Sequence, residues 1–269
     1  MISTSKSSMT PITIQYQVIK ALILREIITR WGRNNIGFLW IFCEQLLVML
    51  SFWLLYYVHS FRDLTYVGYG ISLTAFVLIG HAPLMLYRNS VNLLSNAIKS
   101  NTALLHHRNL RPLDFYVARF ILEAVGNTAS LVLLMFFCIL FGFIPAPRDP
   151  ITLIFAWALF LWFSFGFGLS IGILVAQYIT ASIIWRFFSV ALIIISGAYF
   201  YVIFLPPEYQ KYALMLPMVN GSEMMKHGYF GEHIKTFEDP SYFAIWCLVL
   251  NFIGLMLAKI YGTKLPQRL

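Results

Sequence analysis

The chain has 269 residues, 59% of them apolar and 11% charged, with a formal net charge of +8 and a mean hydropathy of +0.75. That composition excludes an ordinary soluble domain and makes the positive charge a topology signal rather than a nucleic-acid signal. The three cysteines, Cys43, Cys138 and Cys247, all fall in apolar runs, with neither a disulfide framework nor zinc-ligand spacing.

The opening residues are mostly polar and carry no cleavable signal peptide. Residues 1–35 are expected to form a cytoplasmic N-terminal segment with an interfacial amphipathic helix. Ile19, Ile23, Ile27 and Trp31 recur every fourth residue, and Arg25, Thr29 and Arg33 form the opposite stripe. Glu26 and Arg30 add a favourable i,i+4 pair. Two roles fit this helix: an anchor attracted by anionic lipid, and a guide for an anionic substrate through Arg25, Arg30 and Arg33.

Charge-free intervals then mark the spans. Those from Asp63 to Arg88, Glu123 to Arg148, Asp149 to Arg186, Arg186 to Glu208 and Asp239 to Lys259 each supply the run of about 20 apolar residues that crosses a bilayer. A further stretch, before Val58, is interrupted only by Glu44. Six transmembrane helices are predicted, at residues 36–58, 69–87, 115–142, 151–177, 184–205 and 242–260. Helices are favoured over a barrel because runs such as Leu131 to Phe141 are apolar on every face. With the N-terminus inside, only Arg62, Arg148, Lys211, Lys226 and Lys235 of the 19 basic residues lie outside, so both termini are expected to be cytoplasmic.

Within the first span, Glu44 sits roughly 10 Å inside at 1.5 Å per residue. A carboxylate there faces the bundle interior or water, and both a structural hydrogen bond and the lining of a substrate path fit it. In the cytoplasmic loop from Arg88 to Asp114, the run LLHHRNLRPLD is basic, and Pro112 disfavours a helical Arg111. His106 and His107 would face different sides of a helix, so no metal site is expected. A solvated loop and a docking surface for a cytoplasmic partner both fit this run. Arg119 and Glu123 are expected to pair along the third span. In the fourth span, Ser164, Gly168, Gly172 and Ala176 repeat at i+4 as a smooth stripe for close helix packing. Tyr199, Phe200, Tyr201 and Phe204 follow Ser196 and Gly197, a pair that can bend the fifth helix. Their rings can stack on sugar while the hydroxyls hydrogen-bond it. Pro206 and Pro207 stop that span. Tyr209 to Met218 and Val219 to Phe230 are then too apolar for a free loop and too short to cross. A re-entrant hairpin in the outer leaflet, serving as a gate, and a surface loop contacting a periplasmic partner both remain open. No G-x-x-x-x-G-K-S/T motif occurs, so ATP hydrolysis by this chain is not expected.

The run REIITRWGRNNIGFLWIFCE, with Arg25, Glu26, Arg30, Gly37, Leu39, Trp40 and Glu44, resembles the opening of ABC-2 type export permeases, especially the KpsM-type permeases that export capsular polysaccharide. Asn101 to Glu123 resembles the same family's second cytoplasmic loop and third span. Gln45 stands where such permeases usually have proline. Leu216 and Asn220 depart from the family's outer-loop pattern, which Pro217 and Glu223 keep.

The resemblance implies that residues 36–269 form an ABC-2 type transmembrane domain acting as a half-transporter. Two copies would assemble as a homodimer with two copies of a KpsT-like ATPase, moving a lipid-linked polysaccharide outward towards a periplasmic KpsE-like adaptor of polysaccharide co-polymerase type. No cofactor is implied in this chain, ATP and Mg²⁺ belonging to the ATPase, and no nucleic acid. Spans one and five would line the conduit with Glu44, Trp40, Tyr199, Tyr201 and Phe204. Leu105, His106, His107, Arg108 and Arg111 would dock the ATPase. Pro206, Pro207, Pro217 and Glu223 would belong to the outer gate. The competing readings are an exporter of O-antigen or teichoic-acid type polymer, or of a drug, and, in other classes, a stand-alone channel or a membrane transferase. A transferase needs acids or a His motif clustered at one face, where the cytoplasmic side offers only Glu26 and Asp114 in separate segments.

Overall fold

The computed structural model describes residues 11–31, 43–44, 46–48, 50–51, 54, 72–98, 100–101 and 110–261. Its described residues are all-α. The helices are α1 (Pro11–Trp31), α2 (Leu73–Ser95), α3 (Pro112–Leu140), α4 (Pro150–Gln177), α5 (Ile179–Ile195), α6 (Pro207–Leu214), α7 (Pro217–Phe230) and α8 (Pro240–Tyr261). The described residues between 43 and 54, within the first expected span, are helical.

Local chemistry sets most of these boundaries. Proline occupies the first turn of α3, α4, α6 and α7, where its missing N–H costs nothing. Asp149 caps α4, its Oδ1 accepting from the amides of Ile151 and Thr152 at 3.2 Å. Asp114 accepts from the Arg111 amide at 2.9 Å, and Arg111 is extended (φ −106°, ψ 146°), as Pro112 demands.

α4 is the central helix, with α2 on one face and α8 on another. Small residues make that possible. A Cβ on Gly168 would stand 2.8 Å from the Ser90 Cβ, and one on Gly172 would stand 3.1 Å from the Val91 carbonyl, so the stripe read from the sequence is the α2 contact. Gly166 and Gly254 bring α8 in on another side, against Asn251 and Leu169. Indole hydrogen bonds tie the neighbours on: Trp157 Nε1 to Thr128 on α3 at 3.0 Å, and Trp185 Nε1 on α5 to Asn92 on α2 at 2.8 Å.

α3, α4 and α8 are long and apolar enough to cross a membrane, and α5 is a shorter apolar helix. Outward faces carry Val132, Phe136, Leu248 and Phe252, whereas several polar groups turn inward. Asn251 donates to the carbonyls of Trp162 and Cys247, and Ser170 to that of Leu250. This inside-out distribution is the one a lipid solvent selects.

Three expectations are displaced. The second apolar helix does not end at residue 87 but continues to Ser95, so Arg88 lies within α2, half-buried. A long cationic side chain does not force a helix to stop, because its stem packs while its head finds a polar site. The fifth helix starts earlier and ends at Ile195. Gly197, at φ +73°, takes the left-handed conformation beyond the Ser196 cap, so the Ser-Gly pair terminates the helix instead of bending it. In α1, Leu22 is buried with Val18 and Ile23 beside it where α1 packs on α3, while Ile19 and Ile27 are only half-buried.

α7 is buried along almost its whole length against the N-terminal parts of α4 and α8. A Cβ on Gly221 would meet Phe160 and Phe243 at 2.7 Å, and one on Gly228 would meet the Leu153 amide at 2.5 Å. The preceding α6 instead exposes Tyr209, Tyr212 and Met215.

Candidate functional site

A cavity of about 670 Å³ opens between the first expected span, α2 and the turn that follows α5. Its volume falls within the roughly 300–1,000 Å³ of ligand pockets. Glu44, Val48 and Ser51 line one side and His81, Met85 and Arg88 another, each set spaced i, i+4, i+7 and so sharing a helix face. Ile193, Ile194, Tyr199 and Phe200 complete the lining.

The turn reaches α2 because Gly80 has no side chain. A Cβ there would stand 1.9 Å from the Ala198 carbonyl oxygen, so only glycine admits this approach. The contact sets Tyr199 beside His81, with the phenol oxygen 2.5 Å from Nδ1. His81 Nε2 is buried with no hydrogen-bond partner among the described residues. The Arg88 Nη1 lies 3.9 Å from the Met85 sulfur. A carboxylate, an imidazole, a guanidinium and a serine hydroxyl are thus spread over a largely apolar wall with two aromatic rings. Such a surface holds polar groups at a few points and leaves sugar faces free to slide on rings and aliphatic side chains.

Of the conduit residues expected from sequence, Glu44 and Tyr199 meet in this cavity. Tyr201 does not line it. Tyr201 is 1% exposed and stacks on Phe76 with centroids 5.3 Å apart. Phe204, exposed on the 3₁₀ turn Val202–Phe204, packs edge-on against Tyr201 at 5.8 Å and is likewise not in the lining. Residue type marked these rings as sugar-binding, but the reversal beyond Gly197 decides which face the cavity. Trp40 lies outside the described residues. Phe200, one of the rings read from sequence as able to stack on sugar, does line the cavity. His81 and Met85 were not singled out, and Arg88 was counted only as a loop charge. The i, i+4, i+7 stripe in α2 was the available signal.

At the opposite end, α1 is tied to the membrane helices by a polar knot. Arg119 Nε meets Glu26 Oε1 at 2.9 Å, and its other nitrogens donate to Ser100 Oγ at 2.5 Å and to the Leu93 carbonyl at 3.3 Å. Arg25 donates to Asn101 Oδ1 at 2.5 Å, and Gln15 to Asp114. Glu26 is therefore bridged to α3, while Glu123 accepts from Asn127 at 3.0 Å. The Arg30 side chain and Arg33 lie outside the described residues, as do Leu105, His106, His107 and Arg108. Arg111 is exposed at the head of α3. Among the gate residues, Pro206 is the N-cap of α6 and Pro207 its first residue, Pro217 begins α7, and Glu223 is fully buried beside Lys226.

Apolar helices long enough to cross a membrane, with an open cavity of mixed polar and aromatic lining between them, define a helical membrane protein with a ligand-sized site. The chain is a member of the ABC-2 type transporter family, whose profile matches residues 17–230. It is 42% identical over 245 residues to the capsule polysaccharide export inner-membrane protein CtrC of Neisseria meningitidis serogroup A, covering 90% of each chain. It is 40% identical over 260 residues to BexB of Haemophilus influenzae, a protein of the same description, covering 95% of this chain and 96% of that one. To the polysialic acid transport protein KpsM of Escherichia coli it is 28% identical over 249 residues, covering 91% and 94%. The chain is accordingly a multi-pass inner-membrane permease.

Proposed function

We propose that this chain is the membrane-spanning half of an ATP-binding-cassette exporter that moves a lipid-linked capsular polysaccharide from cytoplasm to periplasm, powered by a separate ATPase subunit. The observation that carries this reading is the cavity shared by Glu44, His81, Arg88, Tyr199 and Phe200. Its few polar groups and aromatic walls suit a polymer that must be held loosely and passed on. Two copies of the chain work with two copies of a KpsT-like ATPase, which holds ATP and Mg²⁺, and a KpsE-like adaptor takes the polymer on the periplasmic side. The chain crosses the membrane six times with both termini in the cytoplasm, as the distribution of Lys and Arg supports. α6 and α7 form a re-entrant outer gate, a reading supported by the near-complete burial of α7. Arg25, Arg30 and Arg33 guide the anionic substrate, and the segment from Leu105 to Arg111 docks the ATPase.

The test is complementation in cells lacking their own copy. Glu44→Ala and Tyr199→Ala, inserted at normal abundance, each lower surface polymer about tenfold, the effect of losing one charged or cooperative hydrogen bond, while lipid-linked polymer accumulates inside. Unchanged export from both variants overturns the role of the cavity. Export that persists with an inactivated ATPase assigns the chain to a channel.

A further inference from the structure

We infer that Glu223 and Lys226 are positioning residues, which hold the Tyr199–Phe200 wall of the cavity in place from the outer helix α7. This rests on the reading of the cavity as the substrate path. Both side chains are 0% exposed, with Lys226 Nζ 3.3 Å from Glu223 Oε1. Lysine is almost never so fully buried without a partner for each donor. Here the ammonium, with its three donors, divides them among Glu223 Oε1, the Gly197 carbonyl at 2.6 Å and the Phe200 carbonyl. It also lies over the Tyr201 ring at 4.7 Å and the Phe76 ring at 5.3 Å.

These two carbonyls belong to the turn beyond α5, where no helical amide follows to pair them. Glu223 Oε1 accepts from the Val202 amide at 3.3 Å, and Ser222 Oγ donates to the Gly197 carbonyl at 2.8 Å. The α7 contacts therefore bracket Tyr199 on both sides along the chain, at Gly197 before it and at Phe200 and Val202 after it. α2 presses from the other direction, through Gly80 against Ala198. Neither Glu223 nor Lys226 lines the cavity, so both act through the backbone of the turn. A buried ion pair gains little over apolar residues of equal volume. The geometry here uses the pair for direction: position 226 must donate to two carbonyls, and position 223 must accept from an amide.

That requirement separates a clamp from simple charge balance. The assay uses the full complex in membranes, with Cys43, Cys138 and Cys247 each replaced by alanine and Phe200→Cys as reporter, and follows labelling by a water-soluble maleimide. Glu223→Gln/Lys226→Met removes both charges together and leaves no lone buried ion. The exchange variant Glu223→Lys/Lys226→Glu keeps the charges but reverses donor and acceptor. Both variants change the labelling rate about tenfold, the population shift expected from losing one charge-assisted hydrogen bond. Wild-type labelling in the double-neutral variant, or its restoration by the exchange, overturns the inference. A changed labelling rate with unchanged export leaves the clamp standing and removes the cavity from the substrate path, so the two failures are distinguishable.

Discussion

At Gly80 the helix backbone lies against the Ala198 carbonyl, and that close approach helps to place Tyr199. Gly80→Ala puts a methyl where 1.9 Å is available. The turn must move, at a cost of about 1–3 kcal/mol as for other overpacked cores. Thermal unfolding in detergent shows the loss, and export falls because Tyr199 leaves His81. Asp149 gives a second prediction. The Thr152 hydroxyl, 2.5 Å from Oδ2, and then the Thr152 and Ile151 amides hold its carboxyl below the ordinary carboxylate range. A depressed folded-state value contributes stability above the unfolded value, and that stability disappears as pH falls through the folded value. Asp149→Asn keeps an acceptor for the cap but does not titrate. Melting temperatures measured down through the acid range fall less steeply for the variant. Glu44 was legible in the sequence because a carboxylate in an apolar run must face something polar. His81 was not, because a lone histidine in an apolar run reads equally well as core.

Among the elements, α1 shows how partners depend on packing. Local spacing offered Glu26 to Arg30 and Glu123 to Arg119, yet Arg119 crosses to Glu26 at 2.9 Å, with side chains only 10% and 13% exposed. Spacing along one helix is visible in a sequence, whereas the approach of α1 to α3 depends on Leu22, Val18 and the surface they cover. Glu26→Gln and Arg119→Met each destabilise by about 1–3 kcal/mol, and the double variant loses less than the sum, with a coupling of about 1–2 kcal/mol in thermal unfolding. Arg119→Lys does not restore wild-type stability, because one ammonium cannot reproduce the planar fork that reaches Glu26, Ser100 and the Leu93 carbonyl. The glycine stripe of α4 was legible for the opposite reason. Small residues at i+4 make a smooth face whatever neighbour covers it.

Across the whole molecule, two polar assemblies frame the cavity: the Glu26–Arg119 knot where α1 meets α2 and α3, and the Glu223–Lys226 pair under α7. Apolar packing alone is weak at fixing helix positions in lipid, since acyl chains compete on equal terms with side chains. Directed hydrogen bonds and close glycine contacts supply the missing specificity. α4 carries this frame, touching α2 through Gly168 and Gly172 and α8 through Gly166.

The all-helical class, the apolar helices and the extended backbone at Arg111 follow from the sequence alone, because they rest on hydropathy and on proline. Glu44 stands out for the same reason, as a single carboxylate in an apolar run is visible without knowing its neighbours. Only the tertiary structure decided that α5 stops at a left-handed glycine, that Tyr199 faces the cavity while Tyr201 turns beneath α7, and that Lys226 is fully buried against the carbonyls of Gly197 and Phe200. Each of these depends on a contact between residues far apart in the chain. The geometry of such a contact is set by the packing of whole helices, which no local pattern encodes.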